Sequence, residues 1–205
     1  MKGTFVPRQA DPARPVEVID AAIHHASDVG FSQFTLRGVA EALGQTTRVV
    51  THHFSDKLAL TKAMLERLDE REQSSLKADT AWSNPDLPVS EVVAASWQRT
   101  LSRDELPYTR LIHEIEGLGA AGRSPVPVGG FLANRAAFVA TCLEIRGVPS
   151  DEALVLATML NSAYTGLQID FLSTGDHART KPALARLCNW IDTAVASSRS
   201  SRPHG

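Results

Sequence analysis

Apolar residues recur every three or four positions along most of the chain, which is the spacing of one face of an α-helix. The first repeat runs from Val18 to Val29 and ends at Gly30. Later repeats predict helices over 36–43, 47–54, 55–79, 89–103, 105–120, 130–147, 151–174 and 180–197. No segment alternates apolar and polar residues as a β-strand does. The pattern therefore predicts an all-α fold.

The first three predicted helices have the features of one supersecondary unit. Thr35 is suited to cap the second helix and Gly44 to end it. Two short helices joined by a glycine-containing turn, and covered by another helix, form a helix-turn-helix. In such a unit Ala40 must be small because the third helix crosses close to it, and Val50 must fill the angle between helices. We therefore predict a helix-turn-helix over residues 16–54.

The rest of the chain divides around this unit. Residues 1–13 contain two prolines and no helical repeat, so we expect a flexible arm. We assign residues 14–60 to the helix-turn-helix domain and residues 61–197 to a C-terminal helical domain. Residues 198–205 are rich in serine and arginine and are expected to form a disordered tail.

The composition of the 205-residue chain limits what it can be. Its 43% hydrophobic residues suffice for a sizeable core, and its length excludes a large multidomain enzyme. We find neither the ~18 consecutive apolar residues of a membrane helix nor a secretory signal, so we expect a cytoplasmic protein with no membrane partner. The net charge is −2, and residues 1–60 hold six basic and six acidic side chains. Nucleic-acid binding must therefore depend on the local placement of charge.

The spacing of the cysteines and histidines argues against a metal site or a redox motif. Cys142 and Cys188 lack the short paired spacing of zinc or redox motifs and lie in helical apolar patterns, which predicts buried thiols. His52 and His53 are adjacent, and neighbouring residues on a helix point about 100° apart. The two rings therefore cannot hold one ion from one helix face. We expect no metal and no cofactor.

Two motifs lie in and just after the predicted helix-turn-helix. Residues 35–44 read TLRGVAEALG, and residues 52–60 read HHFSDKLAL. With Ala21-Ala22 and Val29-Gly30-Phe31 upstream, they resemble the N-terminal domain of TetR-family transcriptional regulators. A lone helix-turn-helix is a weak signal, whereas this ordered series of residues is a specific one. The resemblance implies an N-terminal three-helix DNA-binding domain and a C-terminal helical domain for ligand binding and dimerisation.

The resemblance also implies which side chains contact double-stranded operator DNA. Thr35, Arg37 and Lys57 would contact backbone phosphates. A second group would face the major groove, namely Gln45, Thr46, Thr47, Arg48, Thr51 and His52. Phosphate contacts position a protein on DNA and base contacts specify the sequence, and we assign base contacts mainly to Thr47 and Arg48.

Three of these positions depart from the residues usual in the family. Gln45 stands where an apolar residue is usual, Arg48 replaces a small residue, and Thr51 replaces an aromatic residue that often contacts phosphate. The Thr51 hydroxyl can still donate to a phosphate, and the Arg48 guanidinium can bind a guanine edge or a phosphate. The family pattern therefore does not give the operator sequence.

The predicted C-terminal helices carry aromatic and polar residues within otherwise apolar faces. Such residues are either ordinary core and surface positions or the wall of a cavity, which needs apolar sides and a few convergent polar groups. The resemblance implies a cavity for a small-molecule effector of unknown identity. Our candidates for its wall are Trp97, Tyr108, His113, Phe138 and Tyr164, of which His113 and Tyr164 rank first.

The predicted helices 151–174 and 180–197 have the broadest apolar faces in the chain. A helix that is apolar on most sides must be covered, either within the monomer or by a partner. The resemblance implies a homodimer whose interface is built from these two helices of each subunit. A dimer also suits DNA binding, because helix-turn-helix proteins bind paired half-sites about 34 Å apart.

We therefore predict a DNA-binding transcriptional regulator, a repressor that a ligand releases from a near-palindromic operator. Two other classes stay open. One is an all-α enzyme that uses His113 with Glu114 or Glu116 as acid and base, although no spaced nucleophile, base and orienting group supports it. The other is a helical adaptor whose first domain has lost DNA binding, which the balanced charge of residues 1–60 would fit.

Overall fold

A computed structural model describes residues 13–200, with the backbone alone described for residues 13, 14, 131 and 132. Within this range the chain forms ten helices and no strand. They are α1 (Ala13–Val29), α2 (Leu36–Ala42), α3 (Thr47–His53), α4 (Lys57–Ala78), α5 (Thr80–Ser83), α6 (Val89–Thr100), α7 (Leu106–Ala120), α8 (Gly129–Ile145), α9 (Ser150–Thr174) and α10 (His177–Ser200). None of the helices in residues 13–200 combines the length and the hydropathy needed to span a bilayer.

The all-α prediction is confirmed, and most helix boundaries lie within a few residues of the predicted ones. The apolar pattern does not reveal α5, because a helix of four residues is too short to show a period. It also ends α10 too early: the helix continues through Ser200, so residues 198–200 are helical and do not belong to a disordered tail. Residues 1–12 of the predicted arm and residues 201–205 of the predicted tail lie outside the described residues.

The chain divides into two compact units, Met1–Arg67 and Leu68–Gly205. The division falls inside α4, beyond the predicted boundary at residue 60. We call the described parts of the two units the head (residues 13–67) and the body (residues 68–200).

The head packs α1, α2, α3 and the start of α4 around an apolar centre. Val39, Ala40 and Val50 are buried where α2 meets α3, in agreement with the roles predicted for Ala40 and Val50. The turn between these helices passes through Gly44 at a φ of +62°, in the left-handed region that favours glycine. The Gln45 N–H then donates to the Ala40 carbonyl at 2.9 Å, which closes the turn.

Helices α1 and α2 approach each other closely at Gly38. A Cβ atom at this position would overlap Nε2 of the half-buried His25 side chain. Glycine therefore leaves room for the imidazole between the two helices.

The body has its own apolar centre, formed mainly by α6, α8, α9 and α10. Leu143, Leu160 and Ile191 are almost completely buried there. Cys142 and Cys188 are buried free thiols, as the sequence predicts, and burial raises the pKa of both.

A buried arginine ties the end of α8 to the region of α5. Arg146 is only 4% exposed, and its guanidinium donates to the carbonyls of Trp82 at 2.6 Å, Cys142 at 2.9 Å and Ala81 at 3.1 Å. A fourth bond reaches the Leu87 carbonyl at 3.3 Å. The guanidinium thus supplies donors to carbonyls at the end of α8 and around α5.

Candidate functional site

The outer side of α3 is open to solvent. The side chains of Thr47, Arg48, Thr51 and His52 are exposed, whereas Val50 is buried against the head's apolar centre. The helix therefore presents these four polar residues outward and is held by the buried Val50, which is the arrangement a groove-reading helix requires.

The turn before α3 adds two more of the predicted groove residues to the same surface. Gln45 and Thr46 are both exposed. Thr46 occupies the N-cap position of α3 through its extended backbone alone. The amide of Gln45 and the hydroxyl of Thr46 are therefore presented at the N-terminal end of α3, where recognition helices contact base edges.

The Thr51 hydroxyl is turned toward its own helix. It lies 3.2 Å from the Thr47 carbonyl oxygen and 3.3 Å from that of Arg48, and it donates to these acceptors. Donation to a phosphate would require the hydroxyl to leave the helix backbone.

Two predicted phosphate contacts lie at the start of α2. Thr35 is the N-cap, and its Oγ1 accepts the Gly38 N–H at 3.0 Å. The Arg37 side chain is 83% exposed, and its Nε donates to Glu41 at 2.8 Å, a contact that raises the pKa of Arg37. An exposed pair of this kind can exchange for a phosphate, because such pairs contribute little stability in water.

The third predicted phosphate contact, Lys57, is the first residue of α4. Its ammonium lies 4.3 Å from the centroid of the Phe34 ring and 3.5 Å from the Ser32 carbonyl oxygen. Asp56 caps the same helix, since its Oδ1 accepts the Ala59 N–H at 2.8 Å, and this bond lowers the pKa of Asp56. The lysine is therefore held near the head surface but remains exposed.

The body contains a cavity of about 130 Å³. One water molecule needs about 10–15 Å³ on this measure, so the space suits a small organic molecule. Three of the predicted wall residues, Tyr108, His113 and Tyr164, line it. The apolar part of the wall consists mainly of Leu68, Leu76, Val93, Ile112, Val139 and Leu160.

The other two predicted wall residues do not line the cavity. Trp97 is buried and packs edge-to-face against Tyr164, with ring centroids 5.5 Å apart. Phe138 packs in the same manner against Trp82, at 6.1 Å. Each ring packs in the core against an aromatic residue that does line the cavity, so neither ring reaches the cavity itself. The prediction is corrected for these two positions.

A charged network forms one side of the cavity. Arg135 donates through Nε to Glu72 Oε1 at 2.7 Å, and its Nη2 lies 3.4 Å from Glu116 Oε1. His113 Nδ1 is 3.2 Å from the other oxygen of Glu116. Burial raises the pKa of Glu72, although Arg135 opposes this effect. The carboxylates of Glu72 and Glu116 therefore share the guanidinium of Arg135.

A hydroxyl and amide cluster forms a further part of the wall. The Tyr164 and Thr100 hydroxyl oxygens are 3.2 Å apart, and Gln168 Nε2 donates to Thr100 Oγ1 at 2.7 Å. Burial raises the pKa of Tyr164, so its hydroxyl stays neutral and able to donate near pH 7.

Several cavity residues bear buried polar atoms without a partner among the described residues. They are Glu72 Oε2, Trp82 Nε1, His113 Nε2 and Asn161 Nδ2. Leaving such an atom unpaired costs about 1–3 kcal/mol. Their concentration on residues of one cavity indicates a place where a bound molecule or water supplies the missing hydrogen bonds.

Sequence reasoning misses Glu72, Arg99 and Arg135 as cavity residues. A signal does exist for two of them. Glu72 lies four residues after Leu68, and Arg135 lies four residues before Val139, so each charge falls within an apolar helix face. A charged side chain on an apolar helix face requires a buried partner, but the sequence does not show which residue that partner is.

The outer side of α9 carries exposed apolar residues. Leu154, Val155, Met159 and Ile169 are 45–52% exposed, and we call these four residues the α9 stripe. By contrast, α10 directs Cys188, Ile191 and Val195 into the body, and Leu184, Leu187 and Trp190 are half-buried. Of the predicted dimer helices, α9 therefore offers the more open apolar face.

The described residues contain no group of three or more histidine, cysteine, aspartate or glutamate side chains placed to hold a metal ion. His52 is exposed and His53 half-buried, with ring centroids 5.1 Å apart. The two rings meet edge to face.

Comparison with known proteins identifies the first part of the chain. The family model for bacterial regulatory proteins of the tetR family matches residues 18–64. These residues contain α2 and α3 whole, and with them every side chain predicted to contact DNA.

Similarity to individual proteins extends over most of the chain. The HTH-type transcriptional regulator BetI of Paraburkholderia phytofirmans is 25% identical over 187 residues, which cover 90% of this chain and 94% of BetI. A TetR-family structure from Streptomyces coelicolor is 25% identical, with a TM-score of 0.66, covering 87% of this chain and 98% of that one. The multidrug binding protein EbrR, solved with ethidium, is 24% identical with a TM-score of 0.67 over 87% of this chain and 98% of its own.

Proposed function

Because the chain belongs to the TetR family of bacterial transcriptional regulators, we propose that it acts in the cytoplasm as a homodimeric repressor. It occupies a near-palindromic operator and leaves it when a small molecule fills the body cavity. The observation that carries the proposal is the outward placement of Thr47 and Arg48 on a helix held by the buried Val50.

In this proposal α3 enters the major groove of each half-site. The Arg48 guanidinium is exposed, and its two parallel N–H donors match the O6 and N7 acceptors of guanine. Thr47 lies beside it at the helix start, where recognition helices contact bases. Thr35, Arg37 and Lys57 hold phosphates around this contact and fix the position of the head.

Dimerisation is assigned to α9 and α10, with the α9 stripe at its centre. Four large apolar side chains about half-exposed on one helix form the kind of surface that a partner covers. A two-fold dimer places the same stripe of each subunit against its copy, and the two heads can then bind paired half-sites.

The effector is assigned to the body cavity. The similar protein EbrR is a multidrug binding protein whose structure was solved with ethidium, which supports a small organic ligand for this chain. Leu68, Arg71, Glu72, Ser75 and Leu76 of the cavity wall belong to α4, the helix that begins with Lys57. A ligand that displaces these side chains would shift α4 and weaken DNA binding. An effector with a hundredfold preference for the DNA-free form would supply about 2.7 kcal/mol.

The enzyme alternative is weaker than regulation. His113 is bonded to Glu116 through Nδ1, and its Nε2 has no hydrogen-bond partner among the described residues. It therefore activates no hydroxyl or thiol, as nucleophilic catalysis would require. A helical adaptor would differ from a regulator in that its head does not bind DNA, so a measurement of DNA binding distinguishes the two.

DNA binding is tested by fluorescence anisotropy with labelled duplexes that tile the region upstream of the coding sequence. We expect the intact chain to bind one duplex specifically. Arg48→Ala should weaken that binding about ten- to hundredfold, because a bidentate contact to guanine is lost. Thr47→Ala should weaken it less.

Arg110→Ala is the matched control, because Arg110 is an exposed arginine of the body. This variant should bind the duplex like the intact chain. The proposal fails if the intact chain binds no duplex at low salt, or if both head variants bind as tightly as the intact chain. Either result would favour the adaptor.

A further inference from the structure

The cavity wall contains three guanidinium groups, and two of them have carboxylate partners. Arg71 bonds Glu105 at 2.8 Å, and Arg135 bonds Glu72 at 2.6 Å. Arg99 differs, because its recorded partners among the described residues are the hydroxyl oxygens of Ser75 and Ser96. Its positive charge therefore has no carboxylate within ion-pair distance in that part of the chain.

The unpaired polar atoms on the wall are divided between donors and acceptors. Asn161 Nδ2 and Trp82 Nε1 can only donate, and Arg99 has five N–H groups, of which two bond to serines. Glu72 Oε2 accepts when ionised, and the same carboxylate already binds Arg135. His113 Nε2 also accepts when its Nδ1–H donates to Glu116. Among the three guanidinium groups of the wall, Arg99 is therefore the one whose charge no carboxylate of the described residues pairs with.

From this Arg99 guanidinium on the cavity wall we infer that the effector is an amphipathic organic acid. Its carboxylate binds Arg99 and accepts from Asn161, and its apolar tail lies against the aliphatic wall formed by residues such as Leu76, Val93 and Val139. A carboxylate suits the site because a guanidinium binds its two oxygens through parallel N–H bonds. The role of this acid as an effector rests on the proposed function. Its binding to the cavity can be measured in the absence of DNA.

Three probes that share one tail test the inference: octanoate, octan-1-ol and octylammonium. Each is titrated into the full chain in a calorimeter at pH 7. We expect octanoate to bind about tenfold or more tightly than the alcohol or the amine, because charge-assisted hydrogen bonds to Arg99 are added to equal tail burial. Tighter binding of octylammonium would overturn the inference and assign the cavity to cations at Glu72.

Variants locate the carboxylate. Arg99→Gln should weaken octanoate about ten- to hundredfold and change octan-1-ol less than threefold, whereas Arg99→Lys should recover part of the loss because it keeps the charge. Asn161→Asp should also weaken octanoate, and it provides a second test if Arg99→Gln fails to fold. Arg110→Gln removes the same charge from an exposed position outside the cavity wall and should leave all three affinities unchanged.

Two kinds of failure are distinguishable. If octanoate selectivity depends on Arg99 but no operator is found, the ligand chemistry stands and the proposed regulation fails. If the operator is bound and Arg99→Gln has no effect on any probe, regulation stands and the organic acid is wrong. Equal binding of the three probes would likewise overturn the inference.

Discussion

Arg146 holds a short segment of the body through backbone contacts alone. Its guanidinium donates to four carbonyls, two of them on α5 at Ala81 and Trp82. A four-residue helix has little stability of its own, because the first turn of a helix costs more than it gains. Arg146, 64 residues after Trp82, therefore helps to hold α5 in place, together with the Asp79 cap and the buried Trp82 ring.

Replacing Arg146 with methionine should lower the free energy of unfolding by about 2–4 kcal/mol. Methionine keeps much of the length and apolar contact but leaves several buried carbonyls without donors. Urea unfolding followed by circular dichroism at fixed protein concentration measures the change. Arg103→Met, at an exposed position, should stay within about 0.5 kcal/mol of the intact chain. A loss below about 1 kcal/mol for Arg146→Met would contradict this role.

Some of the individual residues of the cavity wall can be predicted from the sequence. Tyr108, His113 and Tyr164 can be found because polar and aromatic side chains interrupt apolar helix faces. The pairing of Arg135 with Glu72 cannot, because the two residues lie 63 positions apart and their contact depends on how α4 and α8 pack. Trp97, like Tyr164, is an aromatic residue within an apolar helix face, so the sequence predicts both as wall residues. Only the packing shows that Trp97 lies behind Tyr164 and does not line the cavity.

Among elements, the helix-turn-helix is the best predicted from sequence. Its turn needs glycine at a positive φ, its contact needs a small residue at Ala40, and its cap needs the Thr35 hydroxyl, so local chemistry defines it. The apolar faces of α9 and α10 are equally visible in the sequence. Which of those faces the monomer covers is set by tertiary packing, and only the structure separates the α9 stripe from the buried side of α10.

The α9 stripe yields a prediction about assembly. Met159 is 50% exposed at the middle of the stripe, and Met159→Glu would place two carboxylates near each other in a two-fold dimer. We expect the dimer to dissociate at least a hundredfold more readily, because each charge would be buried without a partner. Sedimentation velocity at micromolar concentration measures this.

Gln98→Glu is the matched control, since it adds the same charge at an exposed position of α6. It should leave the sedimentation of the intact chain unchanged. An intact chain that sediments as a monomer, or a Met159→Glu variant that remains fully dimeric, would remove the stripe from the interface.

The whole molecule combines a head that matches a DNA-binding family with a body that contains a cavity. The head matches a DNA-binding family over residues 18–64, and the body contains a cavity with unpaired polar atoms on its wall. The near-neutral net charge of −2 gives no general attraction to DNA, so binding must come from placed contacts and should be selective rather than general.

Protection of guanine N7 from methylation in the bound upstream duplex tests the central claim most directly. We expect the intact chain to protect a guanine in each of two half-sites about one helical turn apart. Arg48→Ala, at concentrations that saturate the duplex, should leave those guanines unprotected. Equal protection by the intact chain and the variant would contradict the role of Arg48, and the absence of any protected pair would contradict DNA reading by α3.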